Sequence, residues 1–270
     1  MQIKPEKVEV IYEGVANLAK GRDSLFAAKL EAEETLSGYN IRDPFLLYVG
    51  NAYPHKNLEG LIDVFGEIIS SPFNKGGGGG FLGGTKEEAG KSMAKYSHIN
   101  GLAGIASSSR GGTPRNDIRL VLVGKEDYFY KRIKNYAEEK NLWKENDLEN
   151  SKVIFPGYVP DAKLEILFKR ACAYVFPSFY EGFGLPPLEA MAKGCPVVSS
   201  NKTCLPEVLG GAAIYFNPEN EEEMKAQIEK VISDEDLRQE LIKKGLEQVK
   251  RYSWWEAARE TLEVYKEVLK

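Results

Sequence analysis

AYVFPSFYEGFGLPPLEAMAKG, residues 173–194, decides how the chain is read. Ala173–Ser178 is apolar and aromatic or β-branched in bulk, the signature of a buried strand. It opens into a loop with Gly182 and Gly184, passes Pro186 and Pro187, and continues as a helical stretch over Pro187–Lys193. A strand, a glycine loop and a helix in that order form one unit of an α/β fold. Working outward, the same kind of apolar run recurs at Phe45–Gly50, Arg119–Gly124, Lys152–Gly157, Pro196–Ser200 and Ala212–Phe216. Their near-continuous apolarity predicts strands buried on both faces, as in a parallel sheet. Helical periodicity fills the gaps: Leu58, Leu61, Ile62, Phe65, Ile68 and Ile69 after Asn57 as N-cap, then Tyr128–Lys140, Ala162–Arg170 and Glu219–Ser233. The expected fold is a doubly wound α/β parallel sheet, with ligands at the carboxyl ends of its strands.

The tail, 234–270, reads as helix throughout, with a capping-box-like start at Ser233 and Asp236. The acids at 234–236 suit a first helical turn better than a metal motif. Trp254, Trp255 and Tyr252 read as core rather than as a ligand platform. Between about 74 and 116 the chain concentrates twelve of its 26 glycines, which predicts a mobile insertion. Within it, Gly84–Ser92 imitates a phosphate-binding Walker loop. It has five residues between the glycines instead of four, and no strand leads into it.

Composition narrows the function classes. With 36 basic and 40 acidic residues the formal net charge is −4, so a broad nucleic-acid footprint is not expected. Three cysteines (Cys172, Cys195, Cys204) form no even framework and no CxxC, and two histidines (His55, His98) lie far apart. A reducing, cytoplasmic setting and no metal site are the expectation. The N-terminal residues lack a signal-peptide core, and no run approaches ~20 apolar residues.

The chemistry-bearing positions cluster at the strand ends. Gly182 and Gly184 allow positive φ and close backbone approach to a ligand. The N–H groups of the following helix make an anion site, worth roughly 0.3–1 kcal/mol alone and up to about 2 when partly buried. That is too weak to hold a diphosphate, so a cation is required, and Lys56 after the first strand is the candidate. Glu181 and Glu189 are separated by seven residues, but glycine and proline between them forbid one continuous helix. One lies in the loop and one in the helix, so they flank a ligand from two sides. Carboxylates suit hydroxyl-rich partners because they accept several hydrogen bonds.

These residues resemble the E-x7-E motif of the retaining glycosyltransferases of family 4 (group 1), in the form EGFGLPPLEAMAKG. YVGNAYPHKNL (48–58), VLVG (121–124), FPGYVPD (155–161), LPEV (205–208) and YSWWEAARETLEVYKEVL (252–269) fall in the family's order. The likeness covers about 41–270, apart from the insertion. It implies the C-terminal, nucleotide-sugar-binding half of a GT-B fold, a Rossmann-like domain over 41–270. By resemblance, Glu189 takes the ribose hydroxyls and Glu181 the donor-sugar hydroxyls. The amides of Gly182, Phe183, Gly184 and Leu185 meet the sugar and diphosphate, and Lys56 neutralises the leaving diphosphate. Tyr158 and Val159 border the base, and Gly50, His55 and Gly124 join the donor-binding set. His55 stands where the family often has Arg, and reads equally as a pocket or a turn residue. No metal or other cofactor is implied.

The resemblance further implies glycosyl transfer with retention from a nucleotide-diphosphate sugar, with a lean toward GDP-mannose. A nucleophilic role for Glu181 would need a second carboxylate about 5–5.5 Å away. The segment VEVIYEGV (8–15) resembles the last strand of the family's N-terminal half, so 1–40 is expected to be an edge strand and linker remnant. Expected partners are the nucleotide sugar and a separate N-terminal half or a second copy, with membrane contact only through a partner or lipid acceptor. Where the closing helix would pack on that half, its apolar face is expected to be open. The alternative reading is a non-catalytic nucleotide-sugar-binding subunit or truncated remnant, and a third is an epimerase or phosphorylase on the same fold.

Overall fold

The structure is a computed structural model that describes residues 9–15, 25–71 and 117–269. Its elements are α1 (Leu25–Gly38), β1 (Phe45–Val49), α2 (Leu58–Ser70), β2 (Arg119–Val123), α3 (Tyr128–Glu139), β3 (Val153–Gly157) and α4 (Asp161–Arg170). Then follow β4 (Ala173–Phe176), α5 (Leu185–Ala192), β5 (Val197–Ser200), α6 (Leu205–Leu209), β6 (Ala213–Phe216), α7 (Glu221–Ser233), α8 (Glu235–Gln248) and α9 (Trp254–Val268). The strands form one sheet in the order β3-β2-β1-β4-β5-β6. Every pairing is parallel.

Each strand expected from an apolar run is present, shortened by one or two residues at one end. Phe45, Leu46, Leu47, Leu120, Val121, Tyr174, Val175, Phe176, Val197 and Val198 are fully or almost fully buried. That two-sided burial is why these runs do not alternate with polar residues. Helix α2 buries Leu58, Leu61, Ile62, Phe65 and Ile68 on one stripe. Burying side chains of this size contributes about 1.5–3 kcal/mol each relative to exposure. The sheet is therefore rigid beneath the loops that leave its carboxyl edge.

Several local expectations need correction. Asn57 precedes α2 in a left-handed conformation (φ 55°), but its side chain does not cap the helix. Its amide donates instead to the Pro218 carbonyl at 3.1 Å. The tail is not one helix: α8 ends in a 3₁₀ turn, Val249–Arg251, and α9 starts afresh at Trp254. Asp234, not Ser233, caps α8, accepting from the Leu237 amide at 2.9 Å. Ser233 turns back onto the Glu229 and Lys230 carbonyls. Tyr252 is buried as expected, whereas Trp254 and Trp255 are exposed, and α9 buries none of its residues.

At the N-terminal end, residues 9–15 form no strand, and Leu25–Gly38, expected within a linker, is helical. Residues 9–15 instead lie against the start of α9. The Val15 amide donates to the Tyr252 carbonyl at 3.2 Å, and a Cβ on Gly14 would fall 2.0 Å from the Trp254 nitrogen. The glycine-rich insertion and the Walker-like string lie outside the described residues.

Candidate donor site at the strand-order reversal

Strands β1 and β4 are neighbours, and the chain runs from β1 toward one edge of the sheet and from β4 toward the other. Loops leaving such a pair diverge, which opens a crevice at their carboxyl ends. The loop after β1 carries Lys56 in a 3₁₀ turn, Pro54–Lys56. The loop after β4 carries Glu181 to Gly184. A backbone bond from the Phe179 amide to the His55 carbonyl, 2.8 Å, ties the two loops together.

Across that tie, Lys56 Nζ meets Glu181 Oε1 at 2.5 Å, with side chains only 12% and 11% exposed. The ammonium also stands 5.5 Å from the centre of the Phe176 ring, a cation–π distance. The two charges expected to act on different parts of a ligand are thus each other's partner. Holding either at this depth alone would cost its hydration, and pairing offsets that.

The floor of the crevice is fixed by phenols. Tyr48 donates to the Asn51 carbonyl at 2.7 Å and Tyr174 to the Val49 carbonyl at 3.0 Å, pinning the exit of β1. Both phenols are pushed far up, by burial first. Tyr174 feels Tyr48 next, and the charges of Glu181 and Glu189 add to the shift while its bond to the Val49 carbonyl opposes it.

Glu189 lies on α5 and is exposed, unlike Glu181. Its carboxyl is still raised above the ordinary range, chiefly because the surroundings exclude water. Asp161 adds to the shift and Lys193 opposes it.

The start of α5 is a narrower anion site than a generic helix terminus. Gly184 adopts φ 100°, and a Cβ there would strike Leu205 Cδ2 at 2.8 Å, so glycine is required. Pro186 and Pro187 have no N–H, and the Leu188 amide already reaches the Gly184 carbonyl at 3.4 Å. Within the first turn, the Leu185 amide is the donor left for a ligand. Gly182 does not have positive φ, contrary to expectation, but a Cβ there would meet nothing within 4 Å.

Gly50 and Gly124 have a sufficient packing reason: a Cβ on Gly124 would fall 2.4 Å from the Gly50 carbonyl oxygen. Tyr158 is 72% exposed at the mouth, whereas Val159 is 2% exposed and its side chain belongs to the core. His55 is exposed and contributes its carbonyl to the loop tie, while its ring sits 6.0 Å from Tyr53.

Residues that the sequence did not single out hold the loop from below. The Glu181 amide donates to Thr203 Oγ1 at 3.2 Å, and Cys204 Sγ approaches the Glu181 carbonyl at 3.4 Å. Thr203 sits at φ 54°, a left-handed turn residue. No local pattern marks it, because its partner lies twenty-two positions away.

Glycosyl transferases group 1 is the family that matches residues 107–248, more than half of the chain. The chain belongs to this family. Among its relatives, O-antigen chain mannosyltransferase B of Escherichia coli is 41% identical over 131 residues, 48% of this chain and 34% of that protein. Serotype-specific mannosyltransferase WbdA of Escherichia coli is 39% identical over 122 residues, 45% of this chain and 15% of that protein. The matched stretches thus span about a third of one relative and less of the other. A glycosyltransferase from Rickettsia africae has the same fold, with a TM-score of 0.65 at 19% identity, over 99% of this chain and 59% of that one. The sheet is the Rossmann-like half of a GT-B fold. Among the described residues no helix is long and apolar enough to cross a membrane.

Proposed function

We propose that this chain binds a nucleotide-diphosphate sugar in the β1–β4 crevice and supplies the donor half of a retaining glycosyl transfer, with acceptor contacts from an N-terminal half. The observation that carries the reading is the Lys56–Glu181 pair, 2.5 Å apart where the two loops meet. A diphosphate entering the crevice exchanges Glu181 for phosphate oxygens around the Lys56 ammonium. The freed Glu181 carboxylate then accepts hydrogen bonds from the sugar. Glu189, at the rim, accepts from the ribose, and the Leu185 amide adds one donor to the phosphates.

As the glycosidic bond breaks, charge grows on the diphosphate while the sugar becomes oxocarbenium-like. Pre-placed Lys56 and the amide stabilise that leaving group without reorganisation during the step. The mannosyltransferase relatives support mannose as the sugar, and GDP-mannose is the donor proposed.

Calorimetry with GDP, GDP-mannose, UDP and UDP-glucose tests the donor. The expected result is binding of the guanosine ligands. Glu189→Ala weakens GDP, whereas Glu181→Ala spares GDP and weakens GDP-mannose. Equal losses of both ligands in both variants contradict the division of labour, and absence of binding by any of the four overturns the reading. Transfer assays with and without an N-terminal half then separate an enzyme from a binding subunit.

A further inference from the structure

Phe183 lies between the two functional positions of the donor loop, two residues after Glu181 and one before the Gly184 turn. Its ring packs against two others. Tyr252 meets it edge-on at 5.7 Å between centroids, and Tyr12 meets it at 6.2 Å. Tyr12 and Tyr252 close the triangle at 5.9 Å. The Tyr12 hydroxyl donates to Glu207 Oε1 at 2.7 Å, and the Tyr252 hydroxyl to the Val208 carbonyl at 2.8 Å, so both rings are anchored on α6. Gly14 and Val15 hold the strap carrying Tyr12 against residues 252–254.

The rest of the loop is held differently. Glu181 is fixed through its amide and carboxylate. Gly182 has open space around it, and Gly184 has no side chain. Phe183 is therefore the side-chain anchor between the ion pair and the start of α5.

We infer that Tyr12 is a positioning residue: residues 9–15 form a strap that clamps Phe183 and so sets the Gly184–Leu185 backbone of the donor site. The binding part of this inference rests on the proposed function. The strap itself does not.

The test is amide hydrogen exchange on the full chain, paired with calorimetry using GDP-mannose. In Tyr12→Ala the bonded amides that flank Phe183, Glu181 on Thr203 Oγ1 and Leu188 on the Gly184 carbonyl, exchange about tenfold faster, an opening made easier by about 1.4 kcal/mol, while β4 and β5 keep their protection. Tyr12→Phe keeps the ring, loses the Glu207 bond and stays near wild type at those amides. GDP-mannose affinity falls in Tyr12→Ala and recovers in Tyr12→Phe.

Unchanged exchange at the Glu181 and Leu188 amides overturns the strap, and so does faster exchange spread evenly over the sheet. If Tyr12→Ala does not fold, Tyr12→Leu carries the same comparison, with ring loss at kept apolar bulk. If the wild-type chain binds no nucleotide sugar, the proposed function falls while the exchange arm still decides the strap.

Discussion

Glu181 and Glu189 belong to one strand–loop–helix unit, yet they occupy opposite environments. Glu181 is nearly buried and bonded to Lys56. Glu189 faces solvent on α5, and its carboxyl is raised because its partly enclosed setting disfavours charge. The first is a charge whose cost is offset by a fixed partner; the second is a charge with only the opposing influence of Lys193. Identical side chains eight positions apart are thus set apart by their surroundings, one paired and one raised in its carboxyl. Substitutions on the two sides should therefore differ in size and in sign.

The largest effect is expected at the pair. Lys56→Ala leaves Glu181 without its counter-charge at 11% exposure. Removing one partner of a buried pair costs about 3–5 kcal/mol, and the slight exposure here places the loss toward the lower end. Replacing both, Lys56→Met with Glu181→Leu, should restore most of the stability while abolishing donor binding. Urea midpoints of the single and double variants decide it. A single variant as stable as wild type would mean that the pair contributes little to holding the loops.

The glycines sharpen the same contrast between a packed floor and an open rim. Gly124→Ala drives a Cβ to within 2.4 Å of the Gly50 carbonyl and must displace backbone. Overpacking of this kind costs about 1–3 kcal/mol. Gly182→Ala meets nothing, so its stability should change by no more than about 0.5 kcal/mol, while donor affinity falls as the methyl group takes ligand space. Thermal unfolding and calorimetry on both variants read the two effects separately. If Gly182→Ala binds donor as well as wild type, the open space at Gly182 is not ligand space.

What the sequence disclosed follows the same division. The six strands were legible because burial on both faces forces runs such as FLLYV and RLVLV, which need no knowledge of their partners. Glu181, Glu189, Lys56 and Gly184 stand out as candidates through the chemistry of the loop and its resemblance to a family. The break before α9 has a sign in the sequence: Ser253 and Glu256 stand at capping-box spacing, and the Glu256 amide meets Ser253 Oγ at 3.5 Å. Helix α1 gave no such sign, lacking acids in its first turn and basic residues in its last. The supports of the loop, Thr203 beneath Glu181 and Tyr12 against Phe183, depend on contacts between distant segments. Hydrophobic periodicity does not encode those contacts.

The smallest expected effect lies at Glu189, and it runs in the opposite direction to the one at Lys56. A carboxyl raised on folding holds its proton to higher pH in the folded chain than in the unfolded one. Between the ordinary carboxylate value and the raised one, the folded state binds more protons, so stability falls as pH rises through that window. Glu189→Gln removes the penalty. The variant should match wild type in acid, below both values, and exceed it at neutral pH. Solvent screening of an exposed side chain holds the gain to no more than about 0.5 kcal/mol. Urea unfolding at pH 3.5 and pH 7 measures the difference. A Gln variant less stable than wild type at pH 7 would show that the ionised carboxylate is already satisfied by Lys193, and Glu189 would then have no reason to seek ribose hydroxyls. A more stable variant that binds GDP more weakly is the outcome required of a residue kept for its ligand at a cost to the fold.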